Sequence, residues 1–402
     1  AGEAAYLSLS RGEGGQNLIG PELGLGLGLI RTGELMAARH IEGTRQYFTR
    51  AYDFGYTRSL EETFDRWPEP VLLEDAVRAI RRFKPQVVVT IFPPDGRAGH
   101  GQHQAAGVIA EMAFHRSGDP DQFPHLTAAG LPPWQAQALF RRVWRKREEA
   151  TLEFALDDVD PLTGRSISQL AGASRSRLRS QDMGRLQNLG RRQGGLIWIA
   201  GKTGGDSTEV FEGVDTELAD IADLLPAGPL RESTRAQLDE ISTLARSARE
   251  ELSPVGLSAA VTALARIIGT LEELTDSVAA RNELPGPAQL ADLLQEKQQV
   301  ASNALAAAAG IAVDAVTDRE TVVLGGSLPV TATLWNSGGS DVRVLDVGLS
   351  TSRGWDATGG GALASEQGTG LLQWGFEVSI AESASPSLPY FLTAPLVGDL
   401  YD

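Results

Sequence analysis

Residues 86–107 read QVVVTIFPPDGRAGHGQHQAAG, and the fold prediction starts from this stretch. Gln86 to Phe92 form a β-branched run without polar alternation, which is typical of a strand buried on both faces. The Pro-Pro-Asp-Gly turn at residues 93–96 ends the strand, and a helix is predicted to begin near Gln102. Strands covered on both faces belong to parallel sheets flanked by helices, so the stretch predicts an α/β fold.

The same alternation extends over residues 1 to 215. Apolar runs such as Ala4 to Leu9 alternate with segments such as Leu73 to Phe83, whose apolar residues recur at helical spacing. This order predicts an α/β domain with a parallel sheet. Residues 216 to 315 are rich in Ala, Leu and Glu, which predicts a helical hairpin or small bundle. Residues 316 to 402 carry short strand-like runs between Gly-rich turns and predict the start of an antiparallel β-sandwich.

Composition and charge exclude several classes of protein. The 402-residue chain has a formal net charge of −16. Nucleic acids and anionic membranes both require clustered Lys and Arg, so neither is an expected partner. No apolar run is long enough for a transmembrane helix. The chain contains no cysteine, so a metal would need His, Asp or Glu ligands, and its five histidines are His40, His100, His103, His115 and His125.

Two of these histidines, His100 and His103, open the helix predicted after the buried strand. Because they are three residues apart, they face the same direction on a first helical turn. Catalytic loops in open α/β sheets lie at the carboxyl ends of strands, and neutral imidazole is the commonest zinc ligand. The pair predicts a functional site, with ordinary surface or capping roles as the alternative.

A Gly-rich segment from Arg11 to Asn17 (RGEGGQN) follows the first predicted strand. Its glycines allow a ligand to approach the backbone closely, and Arg11 and Glu13 offer a charged pair. The segment lacks the glycine spacing of a Rossmann or Walker phosphate loop, so nucleotide binding is not predicted.

Four blocks follow one another along the chain: LSRGEGGQN (Leu9–Asn17), IRTGELMAAR (Ile30–Arg39), RAYDFGY (Arg50–Tyr56) and HGQHQAAG (His100–Gly107). In this order they resemble the LmbE/PIG-L family of zinc-dependent N-acetyl-sugar deacetylases, in particular its large multidomain bacterial members. The resemblance covers residues 1 to about 200. It implies a Rossmann-like parallel sheet whose first strand is missing here. It also implies hydrolysis of the N-acetyl group of an N-acetylglucosamine-type substrate to acetate and an amino sugar.

The resemblance implies roles for individual residues. His103 matches a metal-ligating histidine of the family, and His100 matches its neighbour, which stabilises the oxyanion of the tetrahedral intermediate. Arg31 matches the arginine that binds the sugar, and Asp53 is the candidate for an acidic residue that contacts the substrate. The residues expected to line the mouth of the site are Arg11, Glu13 and Asn17.

The chain departs from the family pattern at the metal site. The family's His-Pro-Asp-Asp motif, which supplies two zinc ligands and the general base, is absent. In the family this motif lies upstream of the strand that opens this chain. We therefore expect zinc, or another divalent metal, in the parent protein, and an inactive 402-residue chain that is truncated at both ends. The alternative is a non-catalytic carbohydrate-binding or scaffold protein that keeps the fold.

A second departure lies in the basic run of Arg175, Arg177 and Arg179, where relatives often carry a histidine in place of Leu178. The run predicts either a solvated face or contact with an acidic substrate group. The expected partner is an N-acetyl amino sugar, as a small molecule or a glycan, and the oligomeric state stays open. The large multidomain relatives favour a periplasmic or secreted location, and the cytoplasm stays open as an alternative.

Overall fold

A computed structural model describes residues 2–143, 149–161, 163–184, 186–187, 189–202, 208–252, 256–281, 286–338, 341–363 and 370–402. The chain divides into two units. The first contains Ala1–Thr216 together with Leu388–Asp402, and the second contains Glu217–Ser387. The predicted mixed α/β class is confirmed, since parallel strand pairs, helices and a later antiparallel sheet are all present. The predicted domain boundaries at residues 215 and 315 stay predictions.

The first unit begins with a β-α-β crossover. β1 (Ala5–Ser8) and β2 (Arg45–Phe48) pair in parallel, and α1 (Leu25–Glu42) connects them. The helix ends at Gly43, whose left-handed φ of 65° is the conformation that commonly terminates helices. The loop of residues 9–24 leaves the carboxyl end of β1, and the loop of residues 49–59 leaves that of β2. Both loops therefore emerge at the same edge, where ligands bind in open α/β sheets.

The elements around the stretch at residues 86–107 follow next. α2 (Leu60–Arg66) and α3 (Glu69–Phe83) lead to β3 (Val87–Thr90), and α4 (Gly101–Arg116) and the short α5 (Pro124–Ala128) come after it. The strand and the helix predicted on either side of residues 93–96 are both present. The prediction that the strand is buried on both faces is wrong, because Val89 is 47% exposed. β3 is an edge strand of its sheet, which leaves part of it uncovered.

The second sheet of this unit is mixed. It contains β4 (Ala138–Arg142), β5 (Leu152–Ala155) and β8 (Gln193–Gly201) in the order β3-β4-β8-β5. β3 and β4 are parallel, whereas β8 is antiparallel to both β4 and β5. A two-stranded ribbon of β6 (Val159–Asp160) and β7 (Arg165–Ser166) precedes α6 (Ile167–Arg175). Ser166 and Gln169 cap α6 reciprocally, which fixes where the helix begins.

The second unit combines helices with an antiparallel sheet. α7 (Pro229–Glu251), α8 (Val261–Ala279) and α9 (Pro287–Ala309) bury a common apolar core. The sheet has the order β11-β12-β10-β9 and contains β9 (Ile311–Val316), β10 (Ser327–Asn336), β11 (Trp355–Ala362) and β12 (Leu371–Ile380). Within the described ranges of this segment the strands form this one sheet, so the sandwich stays a prediction. None of the helices in the described ranges combines the length and apolar character needed to cross a membrane.

A close backbone approach positions the first turn of α4. The Gly101 N–H donates a hydrogen bond to the Thr57 carbonyl at 3.1 Å. A methyl group on Gly101 would lie 2.0 Å from the Ser59 carbonyl oxygen and 2.1 Å from the Thr63 hydroxyl oxygen. Glycine is therefore required at this position, and α4 is held directly against the loop that follows β2.

We expect Gly101→Ala to lower the free energy of unfolding by about 1–3 kcal/mol, because the backbone must move to admit the methyl group. The matched control is Gly33→Ala inside α1, where an added methyl group has nothing within 4 Å. Alanine there should stabilise the helix by about 0.5–1 kcal/mol. Urea unfolding followed by circular dichroism measures both changes. An unaltered midpoint for Gly101→Ala would contradict the described contact.

Candidate active site

The predicted site residues lie on four segments of the first unit. The loop after β1 carries Arg11, Glu13 and Asn17, and α1 carries Arg31. The loop after β2 carries Asp53, while His100 and His103 stand at the start of α4. The charge of Asp53 interacts with both Arg31 and His100, so the structure brings α1, the loop after β2 and the start of α4 together.

A cavity of about 280 Å³ opens between the loop after β1 and the loop after β2. Glu13 and Asp53 are the two predicted site residues that line it. The other lining residues are Gly14, Gly15, Leu23, Gly24, Tyr52 and Phe54. The glycines keep one wall free of side chains. The cavity therefore presents backbone, the Asp53 carboxyl group and apolar or aromatic side chains to a ligand, whereas Glu13 is almost fully buried in its wall.

The two histidines are in direct contact. Their ring centroids are 3.8 Å apart, and the His103 ring stacks on Phe92 with a centroid distance of 3.7 Å. The Nδ1 of His103 donates to the Ala98 carbonyl at 3.2 Å, which places the lone pair of the neutral ring on Nε2. Burial, together with the neighbouring His100, lowers the pKa of His103 to about 4. His103 is therefore neutral at pH 7, the form that binds metals.

Gln102 joins the histidine pair to the loop that carries Asp53. Its amide nitrogen donates to the Gly55 carbonyl. Its amide oxygen accepts hydrogen bonds from the Thr57 hydroxyl at 2.9 Å and from His100 Nδ1 at 2.8 Å. Sequence reasoning missed this role, although Gln102 stands between the two histidines of the quoted block. The hydrogen bond between Gln102 and His100 fixes the orientation of the His100 ring relative to the loop that carries Asp53.

Arg31 holds the Gly-rich segment in place. Its Nη1 donates to the Gly12 carbonyl at 2.7 Å, and its Nη2 donates to the Gln16 carbonyl at 2.8 Å. A methyl group on Gly12 or Gly15 would come within 2.4 or 2.5 Å of Nη1, so the glycines allow the loop to close around the guanidinium. These contacts organise the loop, and the role of Arg31 in binding a sugar stays a prediction.

Ser180 completes the surroundings of Arg31 from a distant part of the sequence. Its hydroxyl accepts a hydrogen bond from Arg31 Nε at 3.2 Å and donates to Glu34 Oε2 at 2.7 Å. Its N–H donates to the other oxygen of Glu34, also at 2.7 Å. No local sequence signal marks Ser180, because its partners are about 150 residues away.

Two carboxyl groups lie beside each other, the buried one of Glu13 and the half-buried one of Asp53. Asp53 accepts hydrogen bonds from the Gly55 N–H at 2.9 Å and from the Ser10 hydroxyl at 3.4 Å. Glu13, only 1% exposed, accepts from the Asp53 N–H at 3.1 Å and from the Tyr401 hydroxyl at 2.5 Å. Burial raises the pKa of Asp53 and of Glu13 despite these hydrogen bonds. Both groups therefore hold a proton more tightly than ordinary surface carboxyls.

Arg11 and Asn17 have structural contacts. Arg11 is 3% exposed, donates to the Tyr390 hydroxyl at 2.7 Å, and lies 3.6 Å from the ring centroid of Phe391 and 3.9 Å from that of Phe48. Asn17 donates to the Glu22 carbonyl at 3.1 Å and accepts from the Ile19 N–H at 3.1 Å. Arg11 thus lies in an aromatic cluster beneath the loop. The expectation that both residues line the mouth of the site stays a prediction.

Residues 2–114 match the family model described as PIG-L: GlcNAc-PI de-N-acetylase. They form a PIG-L family domain. The matched range contains all seven predicted site residues and the helix that carries the histidine pair.

Four chains of solved structures also match. One is an N,N'-diacetylchitobiose deacetylase from Pyrococcus horikoshii, in complex with its inhibitor MPG, with 19% sequence identity and a TM-score of 0.33. The match covers 44% of this chain and 60% of that chain, so this chain spans about 60% of the length of that protein. No curated protein matches the chain significantly.

The PIG-L domain offers one clear metal donor. His103 presents a neutral imidazole beside the cavity loops. Within the described ranges, however, no group of three or more His, Cys, Asp or Glu side chains could hold a metal ion. The described residues therefore do not form a complete metal site.

We expect the His103 ring to titrate near pH 4 rather than near its ordinary value of about 6.5. The unfolded chain takes up this proton at the higher pH, so His103 should reduce the stability of the native state as the pH falls from about 6.5 to about 4. Ring proton shifts measured by NMR report the midpoint. Phe92→Leu exposes one face of the ring and should raise the midpoint, whereas a wild-type midpoint above pH 6 would contradict the described burial.

We expect Tyr401→Phe to lower the free energy of unfolding by about 1–3 kcal/mol, because the buried Glu13 carboxylate loses a hydrogen-bond donor. In the wild-type protein this hydrogen bond lowers the pKa of Glu13, because it stabilises the charged carboxylate. The destabilisation should therefore be larger at pH 8, where the group is charged, than at pH 5. Tyr56→Phe is the control, because Tyr56 is 73% exposed. Equal unfolding midpoints for the two variants would exclude the proposed contribution of Tyr401.

Proposed function

We propose that this protein is a deacetylase that hydrolyses the N-acetyl amide of an N-acetylglucosamine-type substrate. The observation that carries the proposal is the match of residues 2–114 to the family model described as PIG-L: GlcNAc-PI de-N-acetylase. In the proposed reaction water adds to the acetyl carbon and the C–N bond breaks. The nitrogen takes up a proton, and the products are acetate and an amino sugar.

The side chains around the cavity suit the binding and orientation of such a substrate. Asp53 and Glu13 line the 280 Å³ cavity, and the half-buried carboxyl group of Asp53 is a suitable acceptor for a sugar hydroxyl. Asp53 interacts electrostatically with His100, so a sugar bound at Asp53 would place its acetamido group near the histidine pair. Because His100 Nδ1–H donates to Gln102, the protonated His100 ring would use its Nε2–H to donate to the amide oxygen as that oxygen gains negative charge, which lowers the barrier.

We propose zinc, or another divalent metal, as the cofactor, and His103 as one of its ligands. The fit of this residue is good, because a zinc-bound histidine ordinarily donates its other ring N–H to a carbonyl or carboxylate. His103 makes such a bond to the Ala98 carbonyl. The fit of the whole site is incomplete, since the described residues include no group of three or more metal ligands. For this reason we assign no step of the reaction to the metal.

The incomplete set of metal ligands among the described residues favours a second candidate function. A protein that keeps the PIG-L fold but has no complete metal site would bind a carbohydrate or act as a scaffold without cleaving it. The two candidates differ in one measurable outcome. The enzyme releases acetate from N-acetylglucosamine, whereas the binding protein retains the sugar unchanged.

We expect His103→Ala to reduce both zinc content and acetate release in the protein produced from its complete coding sequence, with a loss of activity of at least about 100-fold. The matched control is His115→Ala, because His115 is exposed and lies on the same helix. Residues 1–402 alone should release no acetate when zinc is added, because their described ligands are incomplete.

Each outcome of this experiment separates the candidates. Unchanged zinc content and acetate release in His103→Ala would overturn the role of this imidazole. Binding of N-acetylglucosamine by the wild-type protein, without acetate release at any zinc concentration, would favour the carbohydrate-binding protein over the enzyme.

A further inference from the structure

A second cavity, of about 350 Å³, lies in the first unit away from the histidine pair. Three arginines, Arg165, Arg177 and Arg179, contribute to its lining, together with Ser176, Gln187 and the apolar side chain of Ile41. No carboxylate is among the lining residues that the structure describes. The cavity is therefore a concave surface with a positive charge, in a chain whose formal net charge is −16.

Within the described ranges the three guanidinium groups lack the carboxylate partners that other arginines of the protein have. Arg39, Arg50 and Arg235, for example, contact carboxylates at 2.8, 2.9 and 2.5 Å. In the part of the chain that the structure describes, no such ion pair involves the three cavity arginines. A group of like charges with no internal partner concentrates a positive potential that attracts anions.

The backbone that carries Arg177 and Arg179 is fixed at both ends. The buried Ser174 donates its hydroxyl to Glu42, and the buried Ser180 donates to Glu34 at 2.7 Å. Both glutamates belong to α1. Glu42 also forms an ion pair with Arg39 at 2.8 Å. In the described ranges neither glutamate forms an ion pair with Arg177 or Arg179. A site on an anchored segment loses less entropy when it binds a ligand than a site on a mobile loop.

We propose that this cavity binds an oxyanion, a phosphate or sulfate group carried by a small ligand. Guanidinium groups present forked donors that match the oxygens of such groups, and the Gln187 amide adds a further donor. The volume is at the lower end of the range of about 300–1,000 Å³ found for small-molecule sites. One anionic group, alone or on a monosaccharide, fits better than a polymer. The proposal does not depend on deacetylase activity.

Isothermal titration calorimetry of residues 1–402 with inorganic phosphate, and then with N-acetylglucosamine 6-phosphate, tests the proposal. We expect saturable binding to the wild-type chain, weakened about tenfold by Arg177→Ala and further by Arg177→Ala combined with Arg179→Ala. Arg165→Ala, on the separate strand β7, should weaken binding in the same way. The matched control is Arg175→Ala, which removes the same charge from the same run but contacts Met183 and does not line the cavity.

The comparison between arginines decides the outcome. A wild-type chain that binds neither phosphate nor the sugar phosphate overturns the proposal. It is also overturned if Arg175→Ala weakens binding as much as Arg177→Ala, because general surface charge would then explain the attraction. Equal affinities for the two probes identify the free oxyanion as the ligand, whereas tighter binding of the sugar phosphate identifies a phosphorylated saccharide. Circular dichroism of each variant confirms that the fold is retained.

Discussion

The candidate site depends on the hydrogen bonds of the buried Arg31 guanidinium. This guanidinium joins α1 to the Gly-rich loop through the carbonyls of Gly12 and Gln16, and to a distant segment through Ser180. Burying a positive charge is costly unless its donors are satisfied. The cost is offset here by these hydrogen bonds and by the nearby carboxylates of Asp53, Glu34 and Glu13. Because each of the three guanidinium nitrogens of Arg31 has a partner, the loop beside the cavity is tied both to α1 and to Ser180.

A second layer of contacts extends this organisation. Glu13 accepts from the Asp53 backbone and from the Tyr401 hydroxyl, and Gln102 connects the next loop to His100. Through these two side chains, the carboxyl groups and the histidine pair are held at defined positions. An active site requires such support, because small displacements of the reacting groups reduce the rate strongly.

The sequence predicted what depends on local pattern. The strand and helix around residues 86–107 are marked by β-branched residues, turn residues and helical spacing, and the structure contains both. The exposure of Val89 and the antiparallel position of β8 depend on which strands become neighbours, and local pattern does not specify this. The same division holds for the site. The four quoted blocks contain every predicted residue, whereas Ser180 and Tyr401 contribute through contacts across 146 and 388 positions, which no local spacing can indicate.

The return of residues 388–402 to the first unit has a consequence for how the protein is made. Chains are synthesised from the N-terminus at about 5–20 residues per second, and domains generally fold as units. Tyr401 and Phe391 are parts of the first unit, so that unit is incomplete while residues 217–387 are still being translated. During this interval Glu13 lacks its hydrogen bond from Tyr401, and Arg11 lacks its contact with Phe391. The N-terminal unit therefore reaches its final packing after the ribosome has passed the whole of the second one.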